Sequence, residues 1–549
     1  MSHRLLKKNP LFRDEIRRHR ASILIAAAIL SLASLLALGI PLAVKRLAEE
    51  WAAGNSWTIW LLAGGVFLLL SLGLQTYGGL KSTEVSERLK TALQRQLFRR
   101  FMGQEMAFHR AQGPGELISA IYTDIQAVAG LYSRLLPSGV SGLLLLAGAT
   151  VALIQLSPGL ALVLAGATLL SLIVSRMLLR HIRARAAEIN EHTSQIYRLI
   201  NEALHQVMVI KINRLSGWAE ERLRKHHGRM VELTVRLQFL QGVLSMTVQL
   251  LLASALIAGW IVLTHSAAAD ELGTQLSALL FGLLLVRQLG SLAGLLGTYR
   301  QAQGAMDRLD SLLDTGPPAA SGKALPPELQ RVRVTGLNFF YGEEAALSNV
   351  TFDLRRGEIV AITGPNGAGK TTLFNILSAL EPIAPGSVFW NDMDITGFDR
   401  TALLSKVAYL PQDSLLGQAS IADNIRMGKL DASDSEIEQA AERAGVGDVI
   451  RRHPDGLDTV LGSEGSRISG GESRRIALAR LLIHDDADLY LLDEPTEGLD
   501  AGSELSILDT ALKALEGKTV LIITHRPAVL ERVQRHLRME NGRVPGGQL

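Results

Sequence analysis

Residues 364–372 (GPNGAGKTT) have the composition and spacing of a loop that grips phosphate. They fit G-x-x-x-x-G-K-[ST], with Gly364, Gly369, Lys370 and Thr371 at the fixed positions. Residues 358–363 (EIVAIT) read as a short apolar strand entering the loop, and residues 373–380 as the helix leaving it. Across Gly364, Asn366, Gly367, Ala368 and Gly369 successive backbone N–H groups can turn toward β- and γ-phosphate oxygens, and the helix N-terminus adds a favourable dipole. Lys370 would neutralise phosphate charge, while Thr371, followed by Thr372, would offer its hydroxyl to Mg²⁺.

Two further stretches carry matching chemistry. Residues 489–494 (LYLLDE) form an apolar strand that stops at two acids. Delivered beside the glycine loop, Asp493 can hold Mg²⁺ through water, and Glu494 can act as general base on an attacking water. Residues 468–472 (ISGGE) open a helix expected over 473–482, and Ser469, Gly470, Gly471 and Glu472 give it an anion-binding start. A second phosphate site in one small domain suits the γ-phosphate of a nucleotide held on another copy, so that two domains close head to tail around two ATP molecules. A capped surface helix would carry the same residues.

These residues need a scaffold, and the rest of the chain is unlike a soluble protein. Its 549 residues suit two or three domains. Hydrophobic residues make up 48% and the mean hydropathy is +0.21, which directs attention to membrane spans. The absence of cysteine excludes disulfides, thiolate metal sites and cysteine nucleophiles, and the 13 histidines show no H-E-x-x-H spacing.

Residues 1–20 are rich in Lys and Arg and lead into an uncharged apolar run, 22–44, too long for a cleavable signal. Further spans are expected at 57–80, 135–156, 159–179, 244–263 and 276–298, about six in all. Lys and Arg crowd residues 1–20, 81–134 and 180–242, whereas 157–158 and 265–275 carry none, so both termini are expected in the cytosol. The mild net charge of +3 then reflects attraction to anionic membrane lipid, and no basic stripe argues for nucleic acid. The two long inner loops are helical in pattern and read as spans running on past the bilayer. Their tips are expected around Gly113, Pro114, Gly115 and Glu116, followed by residues 121–124, and around residues 210–213. Arg287 is the one charged residue well inside a span, with no acid in the six to pair it. It points either to an anionic or amphipathic cargo in a wet cavity or to a side chain snorkelling to the interface.

Residues 315–327 (TGPPAASGKALPP) read as a linker, after which apolar strands alternate with helical segments as in a doubly wound sheet. The expected division is a basic N-terminus (1–20), a transmembrane domain (21–300), a linker (301–330) and an α/β domain (331–549).

The order glycine loop, YLPQD (409–413), ISGGE, LLDEPTEGLD (491–500) and ITHR (523–526) resembles the ATPase domain of ATP-binding cassette (ABC) transporters. With the spans placed before it, the chain resembles the B-type (type IV) exporters over nearly its whole length. The implied fold is an all-α six-helix transmembrane domain followed by an α/β P-loop nucleotide-binding domain. The implied activity is ATP- and Mg²⁺-dependent export across a bacterial inner membrane by a dimer of half-transporters.

The resemblance also implies that Tyr341 stacks on adenine, Gln412 senses Mg²⁺ and the membrane contacts, His525 contacts the γ-phosphate, and Asp500 bridges to the partner's site. TVLGSEG (459–465) matches the exporter loop ahead of ISGGE, with Glu464 facing the inner-loop tips. Departures are Ile468 for the usual Leu and Glu472 for the usual Gln. SGGE with TEGLD looks most like the C subunit of the heterodimeric exporter used in cytochrome bd assembly, a thiol or haem exporter. That resemblance leaves an alternative in which this half has a mainly regulatory ATP-binding role, against which Glu494 and His525 argue.

Overall fold

The computed structural model describes residues 10–264, 272–313, 325, 328–413, 416–462, 468–496 and 501–545. They divide into two compact units: 1–100 with 115–314, and 101–114 with 315–549.

The first unit is built from long helices: α1 (Pro10–Ala52), α2 (Thr58–Met102), which runs on into the second unit, a stretch from Pro114 to Leu156, α7 (Pro158–His205), α9 (Ser216–Thr264) and α10 (Leu272–Leu313). Among the described residues five stretches are long and apolar enough to cross a bilayer: Arg13–Ala52, Thr58–Met102, Pro114–Leu156, Ser216–Ile261 and Leu272–Ser291. The described apolar part of α7, Pro158–Ser171, is shorter. At about 1.5 Å per residue a helix the length of α2, 45 residues, extends about twice the thickness of the hydrocarbon core. The expected running-on of the spans is therefore present.

The packing has two parts. α1, α10 and α6 (Leu136–Leu156) pack together, while α7 and α9 pack mainly along each other. In the second pair Gly259 faces Leu160, whose Cδ1 would lie 1.9 Å from a Cβ added there and would have to shift. A small apolar core, including Leu153, Leu160, Ala255 and Phe281, joins α6, α7, α9 and α10.

The Pro114–Leu156 stretch breaks α regularity twice. After α4 (Pro114–Ser119) comes a π turn at Ala120–Asp124, then α5 (Ile125–Gly130), a second π turn at Leu131–Leu135, and α6. The expected tip, 113–116 followed by 121–124, is corrected in its second part: Tyr122 is exposed, but Asp124 is buried inside the helical unit and accepts a hydrogen bond from Arg308 Nε of α10 at 3.2 Å. The turn before it is made instead by the short helix α3 (Met106–Ala111), which packs within the second unit. The other expected tip is α8 (Val207–Ile212), whose side chains Met208 and Ile212 are 71% and 69% exposed.

In the second unit, β1 (Arg331–Tyr341), β2 (Glu344–Arg355), β4 (Val388–Trp390) and β5 (Met393–Asp394) form an antiparallel sheet in the order β2-β1-β4-β5. A parallel sheet runs β6-β7-β8-β3-β9, from β3 (Ile359–Thr363), β6 (Val407–Leu410), β7 (Leu489–Asp493), β8 (Thr519–Ile523) and β9 (Arg535–Arg538). β7 and β8 are buried along their whole length, as apolar strands covered on both faces must be. Period-two alternation splits their side chains between two cores. Leu489, Leu491, Leu521 and Ile523 join one with Leu373 and Phe374. Tyr490, Leu492, Val520 and Ile522 join the other with Ile476 and Leu482.

Candidate nucleotide site

Parallel strand order alone assembles the site. Ligands of open parallel sheets bind beyond the carboxyl ends of the strands, and here β3, β8 and β7 are successive neighbours. Their ends therefore bring the glycine loop, His525, and the pair Asp493 and Glu494 to one edge.

From β3 the chain enters the loop and leaves it as α11 (Lys370–Leu377). Gly364 has φ +150° and a Cβ there would sit 2.1 Å from Met539 O; Gly369, with φ +90°, would place one 2.6 Å from Ala346 O. Any other residue collides with backbone at both positions, so the loop's shape requires glycine. It borders a cleft of about 450 Å³ lined by Tyr341, Asn366, Gly367, Ala368, Gly369, Lys370, Thr371, Thr372, Gln412, Asp493 and Glu494.

Inside, Lys370 Nζ donates to Gly364 O at 2.6 Å and Pro365 O at 3.0 Å, and lies 3.2 Å from His525 Nε2. Burial pulls its pKa down, opposed by the charges of Glu494 and Asp493. Such a cation gains by exchanging loop carbonyls for phosphate. Thr371 Oγ1 donates to Asp493 Oδ2 at 3.0 Å. Burial raises the pKa of Asp493, with the Thr371 hydrogen bond opposing. A hydroxyl and a desolvated carboxylate meeting beside a phosphate cradle make a donor set that fits a small oxygen-seeking divalent ion, so the residues fit Mg²⁺.

Glu494 has φ +47°, a left-handed backbone that a glutamate rarely adopts, and its N–H donates to Ile523 O at 2.9 Å. The sheet thus imposes the kink that turns its side chain back toward β8. His525 Nε2 lies 3.4 Å from Glu494 Oε1.

Ser469 caps α12 (Gly470–Leu482), three residues earlier than the helix start expected at 473. The cap is reciprocal: Glu472 N donates to Ser469 Oγ at 3.2 Å and Ser469 N to Glu472 Oε2 at 2.7 Å. Glu472 also pairs with Arg452. Ser469, Gly470, Gly471 and Glu472 lie outside the cleft lined by their own chain's glycine loop. Asp500 and Glu464 fall outside the described residues.

Two features had no sequence signal. Arg474, buried on the first turns of α12, donates to Pro411 O at 3.1 Å and Gln412 O at 2.7 Å, fixing the backbone of the exposed Gln412. Arg110 of α3 pairs with Glu381 and covers the Tyr341 ring. Its partners are hundreds of residues away, so no spacing pattern could mark it.

Residues 347–497 match the family described as ABC transporter, and residues 21–288 that described as ABC transporter transmembrane region. The chain is 30% identical over 496 residues to the mitochondrial potassium channel ATP-binding subunit of Mus musculus, covering 87% of this chain and 69% of that one. It is 28% identical over 558 residues to the ATP-dependent lipid A-core flippase of Dechloromonas aromatica, covering 99% and 94%. A solved bacterial Atm1-family ABC exporter with ATP bound superimposes with a TM-score of 0.86 at 23% identity, covering 96% of this chain and 95% of that one, and so shares the fold of a helical membrane domain followed by an α/β nucleotide-binding domain. With both halves matched, and a phosphate cradle at the head of the second, the chain belongs to the ABC transporter family, as an exporter-type half-transporter whose ATPase is coupled to transport.

Proposed function

We propose that the chain moves an amphipathic, anionic cargo outward from the cytosolic side of a bacterial inner membrane, as one half of a dimer closed by ATP. The observation that carries this reading is that Ser469 and its neighbours stand outside the cleft that Lys370, Asp493 and Glu494 of the same unit line, with His525 near Lys370 and Glu494. A partner copy presenting Ser469, Gly470, Gly471 and Glu472 would close that cleft, with Asp500 bridging. The bare apolar tip at α8 suits docking on that partner, since an unpartnered Met208 and Ile212 gain by burial.

The roles follow from position. Lys370 and the N–H groups of 366–369 hold the phosphates, and Tyr341 stacks on the base. Thr371, Asp493 and Gln412 would hold Mg²⁺, which when bound neutralises charge developing on the phosphates. Glu494 takes the proton of the attacking water, and His525, within reach of both Glu494 and Lys370, meets the γ-phosphate.

For the cargo, Arg287 of α10 is exposed, and Leu285, Val286 and Leu289 beside it line an apolar cavity of about 350 Å³. A cation next to an apolar cavity suits an anionic amphiphile, and one relative is by its name a lipid A-core flippase. Lys and Arg crowding at residues 1–20, 81–134 and 180–242 supports cytosolic termini. The proposed domain division is 1–20, 21–300, 301–330 and 331–549, with residues 101–114 packing in the ATPase unit.

A second reading, resting only on the likeness of SGGE and TEGLD, is a subunit of a heterodimeric exporter of the cytochrome bd assembly type with a mainly regulatory ATP-binding role. Hydrolysis by the chain alone in lipid nanodiscs, stimulated by anionic lipids and lost in Arg287→Ala, supports the first reading. Hydrolysis that needs an unlike partner and ignores Arg287 supports the second.

A further inference from the structure

The helix α3 is six residues long and lies in sequence between two membrane-spanning stretches, yet it packs in the ATPase unit. Phe108 anchors it, buried, with its ring 5.6 Å from that of Phe101. Two residues on, Arg110 makes contacts that a docking anchor does not need. Its guanidinium lies over the face of the Tyr341 ring, 4.9 Å from the centroid. The same group forms a two-pronged pair with Glu381, one prong being Nη2 to Oε2 at 2.8 Å.

Both partners belong to the nucleotide site. Tyr341 ends β1 and lines the cleft, with its ring edge-on to Phe339 at 5.1 Å. Glu381 lies four residues past the end of α11, the helix that begins at Lys370, and its N–H donates to Asn375 O at 3.2 Å. Its side chain is 1% exposed, whereas that of Arg110 is 41% exposed. A carboxylate that deep needs a fixed counter-charge, and the fork of Arg110 supplies it. The guanidinium is thereby held in one orientation, and a held guanidinium fixes the ring it covers.

We propose that Arg110 is a positioning residue for the base of the bound nucleotide: anchored on Glu381, it holds Tyr341 in its stacking orientation and makes that ring a better partner for adenine. Two physical effects act together. Tyr341 is 37% exposed at a strand end and would otherwise sample several rotamers, each to be given up on binding. A cation on one face also draws π density from the other, which favours an electron-rich purine there. Because Glu381 follows α11, one side chain of α3 touches elements serving both the base and the phosphates. Base occupancy is then felt by the segment that links α2 to the next membrane-spanning stretch.

The inference rests on the cleft being an ATP site, and the test separates the two. In Glu494→Gln protein in lipid nanodiscs, dissociation constants are measured for ATP and for base-less ribose 5-triphosphate. Arg110→Ala should weaken ATP about tenfold, the scale of one well-placed cation–π and preorganisation effect, and leave ribose triphosphate within about twofold. Arg110→Lys should fall between, because an ammonium keeps the charge but not the fork. Glu381→Gln should shift ATP in the same direction. In a Tyr341→Leu background Arg110→Ala should add nothing. Equal weakening of both ligands, or an undiminished effect without Tyr341, would overturn the proposal in favour of a purely structural contact. No change in either ligand would overturn it too. Failure of the parent protein to bind ATP would overturn the site reading itself, and this inference with it.

Discussion

Thr371 Oγ1 donates to Asp493 Oδ2 across 3.0 Å, joining the first turn of the helix after the glycine loop to the end of a strand two places away in the sheet. Two of the three groups proposed to hold Mg²⁺ are therefore held in register with each other. Preorganisation of this kind removes a reorganisation cost from binding.

The raised pKa of Asp493 sets a pH dependence whose sign can be worked out. Its native fold favours the protonated form, so the stability this group contributes is fully present below its ordinary value of 3.8 and lost as pH rises through the raised one. Mg²⁺ needs the carboxylate, so metal-dependent ATP affinity should run the opposite way and fall as pH drops, beginning above the ordinary carboxylate range. Titrating affinity with and without Mg²⁺ from about pH 7 to about pH 4 checks this, and Asp493→Asn should flatten the Mg²⁺-dependent part.

Glu494→Gln keeps size and backbone but cannot accept the proton of water. Turnover should fall by about 10²- to 10⁴-fold, with ATP affinity unchanged or tighter. A variant that hydrolyses at the normal rate removes the general base from the mechanism.

Gly369→Ala would force a Cβ against Ala346 O at 2.6 Å in a left-handed backbone. The fold should lose about 1–3 kcal/mol, and nucleotide binding should drop by more than tenfold. Thermal unfolding with and without ATP reads both, and the loss should be largest with nucleotide present.

Replacing Met208 and Ile212 with glutamate would put charge on the bare tip at α8. If that tip docks on a partner, cargo-stimulated hydrolysis should fall several-fold while ATP affinity stays. Unchanged stimulation would show that the tip takes no part in coupling.

The ATPase unit was readable from the sequence because its chemistry sits in short contiguous runs whose geometry is fixed locally: GPNGAGKTT, LYLLDE and ISGGE each lie on a strand end or helix start. The membrane spans were readable from uninterrupted apolar length. What escaped was long-range. Asp124 looked like part of a polar tip, but two π turns and Arg308 bury it. Arg110, Glu381 and Arg474 act through partners that sequence separation hides. The glycines of ISGGE read as loop, whereas the reciprocal cap by Ser469 and Glu472 begins α12 at Gly470.

In the proposed dimer each ATP is held between the glycine loop of one copy and the ISGGE helix of the other. Mixed dimers test it most directly, pairing a Lys370→Ala copy with a Ser469→Arg copy in a Glu494→Gln background and measuring ATP retained after dilution. Composite sites predict no retention by either parent dimer and one retained nucleotide per mixed dimer, because one loop and one helix start remain intact and face each other. Sites complete within a single chain predict that the mixed dimer retains no more than its parents, and that result would contradict the account.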